Sequence, residues 1–464
     1  MSAPVRVISR GRRTAESPRE FPFAAGMVPG AENPGGPSAY RQHAWEVFQA
    51  TELPHIRLEP WRRTNLEHMP IADFHLPEFE VGSANGRSSS QNGGNPFSIP
   101  PCLLAPLAGE TFAGRILIDT TGTRVEQASG LAERGVIFTS YAEAERNHPV
   151  LIEKIRGQAI RPEDGKFAAL ASAFARQGVL LYVPSGVEVV EPFQFVFWAG
   201  RTETAHLAHI LICLEQGASA TYVQETASAE DPSGHSMFCG VVEGLIGPGA
   251  NFKYVELQSL GQNVWNFMHE RLRVERDGQV DWIFGAAGSH LTKNFSNLDL
   301  AGQGASGRMS GFYFTEHDQH LDHDTQQNHL AAHTTSDLLF KGALKGRSRS
   351  VWQGMIYVAP GAQRADGYQA NRNLVLEPAA RADSIPGLEI LADDVRCTHG
   401  ATVGKIDPEQ LFYLQARGIP RPEAERLVVE GFFDPIMQRI PFEGVRQRFQ
   451  NAIYEKLASQ EPSS

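Results

Sequence analysis

The chain has 464 residues, of which 41% are hydrophobic, and carries a formal net charge of -11. That is enough chain for a sizeable core and more than one structural region, and its scattered Lys and Arg exclude a nucleic-acid surface built on a basic stripe.

Residues 1–37 are rich in Pro, Gly and Arg, without periodicity, and are expected to form a mobile lead. Arg6, Arg10, Arg12, Arg13 and Arg19 lie there beside Glu16 and Glu20, with no apolar run of secretory-signal length. No later segment reaches the roughly 18 apolar residues that span a bilayer. The expectation is a cytoplasmic protein of bacterial type with no membrane partner, and a plastid is left open. Ser38 is placed as N-cap of a helix over "AYRQHAWEVFQA", with Trp45 and Phe48 on one face. Residues 38–178 are predicted as an N-terminal helical region, interrupted by a polar loop near 87–96, "RSSSQNGGNP". Within it Ser140 and Glu143 form a capping-box pair, and "GKFAALASAFARQG" carries Phe167, Leu170 and Phe174 at helical spacing.

From Val179 the helical period disappears. Short β-rich runs such as "VLLYV", "FQFVFW" and "HLAHILICL" continue to about residue 400, so the core is mainly β. The turns resemble one another: Gly217-Ala218, Gly249-Ala250, Gly304-Ala305 and Gly361-Ala362 each precede a strand, with "LEPAAR" as a variant. Recurrent small pairs suggest tight corners around a narrow interior, as in a β-solenoid. An ordinary sandwich with Gly-rich turns also fits. Near the end of this region "DVRCTHGATVG" puts Cys397 and His399 two apart, hence on one face of a strand. This is half of a metal site, or a small hydrophobe beside a satisfied histidine. Helical patterns return over 401–464. Asp407 and Pro408 start one helix, Gly418 ends it, and Val445, Phe449, Ala452, Ile453 and Leu457 stripe a later one. Such apolar stripes must dock on the β region or on a partner.

Two groupings could carry chemistry. The densest polar stretch, "TEHDQHLDHDTQQNHLAAH", holds His317, His320, His323, His329 and His333 with Glu316, Asp318, Asp322 and Asp324. Such ligands suit Zn, Fe or Mn, but strand geometry would scatter them, and a solvated polar corner with pairwise His/Asp hydrogen bonds is the competing expectation. The four cysteines, Cys102, Cys213, Cys239 and Cys397, are dispersed and expected to be free thiols. No phosphate-binding "GxxxxGK[ST]" loop, "GxSxG" elbow or "HExxH" helix is present, so nucleotide hydrolysis would have to come from another protein.

The stretch "LEILADDVRCTHGATVGKIDPEQLFYLQARGIP", residues 388–420, closely resembles the signature of the SufB/SufD family, scaffold proteins of the SUF iron-sulfur cluster assembly machinery. The resemblance extends through "FKGALKGRSRSVWQGMIYVAPGAQRADGYQANRNLVL", "YVPSGVEVVEPF", "GKFAAL" and "PWRRTNL", covering most of the chain beyond residue 40. Within the family the chain is similar to SufD. Where SufB proteins tend to read "SHEATV" this one has Gly400 after the histidine, and "YQANRNLVL" lacks the cysteine that is the cluster ligand proposed for SufB. The resemblance implies a right-handed parallel β-helix core over 179–400, flanked by N-terminal and C-terminal helical regions. It implies a noncatalytic subunit that binds SufB through the β-helix and the ATPase SufC through its C-terminal helices, where Leu411, Phe412, Leu414, Leu427, Val428 and Phe432 supply apolar contacts. A homodimer is allowed when the chain is alone. His399, with Cys397 beside it, is carried over as a ligand for a transient nascent iron-sulfur cluster shared with SufB. The family is also associated with reduced flavin, for which no residue here stands out.

Overall fold

The computed structural model describes residues 20–34, 36, 38–77, 99–104, 111–200 and 202–458. Most of the expected lead and the polar loop at 87–96 lie outside these residues. The described end of the lead is anchored, because Phe23 and Val28 are buried against Trp45, Phe48 and Phe174. Helix α1 (Ala39–Ala50) starts where expected, its N-cap Ser38 accepting the Arg41 N–H. A short helix α2 (Pro101–Leu104) is followed by two strands, β1 (Gly114–Asp119) and β2 (Gly122–Gln127), that form a hairpin, and then by β3 (Ile137–Ser140). These three strands correct the purely helical reading of 38–178. Helices α3 (Tyr141–Asn147), α4 (Pro149–Ile155) and α5 (Lys166–Phe174) complete the region.

The solenoid strands follow in chain order: β4 (Gln177–Val183), β5 (Phe193–Trp198), β6 (Ala205–Leu214), β7 (Ser219–Ala227), β8 (Ser236–Ile246), β9 (Asn251–Ser259), β10 (Val264–Val274), β11 (Gln279–Ala286), β12 (Leu291–Leu300), β13 (Ser306–Thr315), β14 (His320–His329), β15 (Thr335–Leu344), β16 (Arg349–Val358), β17 (Asp366–Val375), β18 (Arg381–Ile390) and β19 (Arg396–Lys405). Even-numbered strands pair in parallel in one sheet, from β4 to β18, and odd-numbered strands in another, from β5 to β19. The chain therefore winds as a parallel β-solenoid of about 8 turns, mainly β with helices at both ends. Successive coils repeat after roughly thirty residues, within the usual range for solenoids. The core extends past Gly400 to Lys405, since "ATVGK" is the second half of β19.

Alternation explains what each strand buries. Residues such as Phe195, Tyr222, Phe252, Trp282 and Tyr313 fill the lumen in one continuous core. Where helices cover the outer face the alternation vanishes: β6 passes beneath the N-terminal helices and every residue in it is buried. The corners form a ladder. Gly217, Gly249 and Gly304 have left-handed φ of 67°, 63° and 74°, and each donates its N–H to a carbonyl of the next coil, that of Pro248, Arg276 and Ala332. The alanine that follows each glycine is buried, because its methyl turns into the narrow lumen.

The C-terminal helices α7 (Arg421–Met437) and α8 (Glu443–Ala458) lie on the outer face of the odd-numbered sheet. Val429, Phe433, Ile436, Val445, Phe449 and Ile453 pack there against Val255, Ile283, Phe312 and Phe314. Phe449 sits over Gly285, where a β carbon would come within 1.9 Å of its ring. Polar anchors reinforce the seat: Lys456 Nζ bonds Glu316 at 2.8 Å, Arg439 reaches Asp337 at 3.3 Å, and Arg448 pairs with the buried Glu225. Pro435 interrupts α7 and removes the N–H that would serve the Gly431 carbonyl; Lys341 bonds the adjacent Phe432 carbonyl from below.

Candidate functional site

The solenoid ends differently at its two ends. Helix α5 packs on β6, β8 and β10 through Phe167, which stacks on Phe267, and the first coils extend into the β1–β2 hairpin and β3. At the far end, β18 and β19 have no further strand on their outer edges among the described residues, and no residue of either is buried. Two sheet edges with unpaired N–H and C=O groups, above an uncovered lumen, form this face.

Cys397 and His399 both sit on it. Cys397 pairs in register with Gly367 and His399 with Gln369. The thiol points into the lumen and packs with Ile356, Val358, Ala362 and Ala365. Period-two geometry aims His399 the same way, over Gln369, which donates to the Gly387 carbonyl at 2.8 Å. Burial pushes the Cys397 thiol above the ordinary cysteine range, and the neighbouring Gly367 N–H offsets this only in part. His399 is exposed because no coil follows to cover it. The structure thus brings the pair together at an open, wettable edge: one imidazole nitrogen source and one half-sheltered sulfur, fewer ligands than a closed metal site needs. The next lumen-facing positions, Ala401 and Val403, carry no ligand, and Val403 is 51% exposed.

The histidine-rich stretch is divided instead of gathered. Its middle is a strand, β14, buried on the lumen face and partly covered on the other, which corrects the expectation of a solvated corner there, while exposed Asp318 and His333 lie in the flanking turns. His320 and Asp322 face outward beneath the N-terminal segment. Thr64 Oγ1 lies 2.9 Å from His320 Nε2 and also bonds Asp322, whose other oxygen is 3.0 Å from Lys293 Nζ. His323 and His329 face the lumen. His323 stacks on Tyr313, and His329 lies between Thr334 and Ser336. His317 occupies the preceding turn with φ of 51°. Burial lowers His320 and His329 to about 4 and His323 to about 3, so all three are neutral at physiological pH. Among the described residues no group of three or more His, Cys, Asp or Glu could hold a metal ion.

The six apolar residues expected at a partner surface also separate. Helix α6 (Pro408–Ala416) has no buried residue; Phe412 is 73% and Tyr413 58% exposed, while Leu411 and Leu414 are half-buried. Leu427 on α7 is exposed and Val428 half-buried. Phe432 packs on Phe433, with the Lys341 ammonium over its ring, so it belongs largely to the intramolecular seat.

A two-sheet parallel solenoid covered by helices at one end, open at the other and flanked by a C-terminal helical arm defines the class: a β-solenoid protein with helical extensions. Residues 197–432 match the SUF system FeS cluster assembly, SufBD core domain, and residues 37–195 match the SufBD protein N-terminal region. The chain is 33% identical over 341 residues, 73% of its length and 78% of the relative's, to the iron-sulfur cluster assembly protein SufD of Bacillus subtilis. It is 32% identical over 316 residues, 68% of its length and 67% of the relative's, to an iron-sulfur cluster assembly SufBD family protein of Staphylococcus epidermidis. The chain belongs to the SufBD family of the SUF iron-sulfur cluster assembly system and is a homologue of SufD. Among the described residues no helix is long and apolar enough to cross a membrane.

Proposed function

We propose that this chain is a noncatalytic scaffold subunit in iron-sulfur cluster assembly, which meets a SufB-type chain across its open solenoid face and a SufC-type ATPase through α6. The observation that carries this reading is the placement of His399 and Cys397 side by side on the terminal strand, whose outer edge has no partner strand among the described residues. Ligands at a sheet edge can be completed by a second chain, and two from each side would give the roughly four a cluster needs. The cluster is cargo. A neutral imidazole holds iron more loosely than a thiolate, so a His399-led site favours release over storage. Exposed α6, fixed to a helical arm that is itself anchored on the solenoid, suits transmission of movement from a nucleotide-driven partner.

The test is anaerobic reconstitution with iron and sulfide in the assembled three-component complex. His399→Ala is expected to abolish cluster formation while co-purification with both partners persists. Normal cluster yield from that variant removes His399 from the mechanism. A stable stoichiometric cluster on the isolated chain contradicts the shared-site reading.

A further inference from the structure

Beneath Cys397 in the lumen lies a buried histidine that the function proposed above leaves unused. His329 on β14 is fully buried and faces the lumen, its Nδ1 2.8 Å from Thr334 Oγ1 and its Nε2 2.9 Å from Ser336 Oγ. In the opposite sheet Ser336, Gly367 and Cys397 stack in register through three successive coils. At Gly367 a β carbon would lie 3.1 Å from His329 Nε2, 3.2 Å from Cys397 Sγ and 3.2 Å from Ile356 Cγ2. The imidazole edge and the sulfur thus close on one point more tightly than an ordinary van der Waals contact to a β carbon would allow. Gly367 is absent from the residues with left-handed φ, so its value here is space and not backbone freedom.

We infer that His329 is a positioning residue for Cys397, acting across the gap left by Gly367. Its ring, clamped by two hydroxyls, forms the floor on which the sulfur seats, and this selects the rotamer of the lumen-facing thiol. His323, on the same strand and also lumen-facing, packs instead on Phe284 and Tyr313 and supplies an internal control. The inference deepens the proposed cluster site and rests on it for its biological meaning, but the geometry is testable without any cluster.

The experiment is alkylation of the full isolated chain with iodoacetamide, followed residue by residue by peptide mass spectrometry, with exposed Cys102 as the reference thiol in the same molecule. Gly367→Ala keeps an allowed backbone but forces Sγ off its preferred rotamer, so Cys397 is expected to react about fivefold faster while Cys102 and the melting temperature stay unchanged. His329→Gln should accelerate Cys397 in the same direction, and His323→Gln should not. Equal Cys397 rates in the wild type and His329→Gln overturn the inference, and if His329→Gln does not fold, Ser336→Ala, which frees the ring from one of its two hydroxyls, decides it by the same readout. The two readings fail separately. Shifted rates with cluster assembly indifferent to His399 retain the positioning role and remove the cluster site, whereas unshifted rates with assembly dependent on His399 do the reverse.

Discussion

The first and last coils of the solenoid use the same backbone plan and reach opposite outcomes. At the N-terminal end every residue of β6 is buried, because helices close its outer face and β4 and β8 flank it. At the C-terminal end β18 and β19 place Leu388, Ile390 and Val403 where a core would be, yet leave them 37% to 51% exposed. A repeat structure needs a cap wherever stacking stops. This chain supplies one from its own helices at the first end and none among its described residues at the second. Its C-terminal helices, which could have folded over the open end, run along the outer face of the odd-numbered sheet. What distinguishes the ends is which surfaces are closed within the chain, and the same distinction separates α8, which is welded down, from α6, which is not.

The comparison predicts large stability effects only where the chain closes on itself. The largest should come from Glu243 on β8. This carboxylate is fully buried and accepts the backbone N–H groups of Gly157, Ala159 and Ile160, with His209 Nε2 at 2.9 Å. It ties the N-terminal region to the solenoid. Glu243→Ala leaves those donors without an acceptor and should cost about 3–5 kcal/mol, read as a lower urea midpoint. A loss below about 1 kcal/mol would mean that the covered end is not held by this residue. Next in size is Gly285→Ala, whose methyl occupies the seat of Phe449; overpacking of this kind costs on the order of 1–3 kcal/mol. The accompanying sign would be faster proteolysis of the α7–α8 arm, and an unchanged cleavage rate would argue against this contact as the anchor.

A third effect lies inside the solenoid and depends on pH. Glu256 faces the lumen beside Glu270; burial above all, and then its neighbour's charge, hold its carboxyl well above the usual range. A folded-state value above the unfolded one means that the native chain keeps a proton the unfolded chain has released. The contribution of Glu256 is therefore fully present below pH of about 4 and is lost as pH rises toward the folded value, at up to about 1.4 kcal/mol per unit. Glu256→Gln should match the wild type at pH 4 and exceed its stability at pH 8. Equal stability of the two proteins at pH 8 would show that the carboxyl ionises freely in the fold.

Much of this was legible in the sequence, and the gaps have physical causes. Gly217, Gly249 and Gly304 announced the corners because a left-handed φ is cheap only for glycine. The same ladder continues through Asp277, His333 and Arg364, with φ of 56°, 59° and 60°, each donating its N–H to the next coil. Asp277-Gly278 is itself a turn dipeptide and His tolerates left-handed φ better than most, but neither fits the Gly-Ala pattern, and at Arg364 the neighbouring coils impose a conformation that the side chain disfavours. Gly361-Ala362, read as a corner, belongs to a turn three residues ahead of the true one at Arg364-Ala365. Strands β1 to β3 were missed because they are short and lie among helices. Cys397 and His399 were visible as a pair since they lie two positions apart on one strand. The floor beneath them, His329 and Gly367, was not, because the coil repeat brings together positions far apart in sequence.

The smallest effect on stability should fall on the surface the chain leaves open. Phe412 on α6 is 73% exposed, and α6 buries nothing of its own. Surface substitutions away from packed features usually change stability by less than about 0.5 kcal/mol, so Phe412→Asp should leave the melting curve where it is. An aromatic side chain held at an uncovered position is costly to keep in water and becomes useful when a partner covers it. The same substitution should therefore abolish co-purification with the SufC-type ATPase proposed as its partner, read by size-exclusion chromatography of the mixed proteins. It should leave association across the open solenoid face intact, because α6 and β19 are separate surfaces. If Phe412→Asp melts the chain, α6 is part of the fold and the contrast with α8 disappears. If it melts nothing and releases no partner, the docking surface lies elsewhere, and exposed Tyr413 and Leu427 become the positions to change.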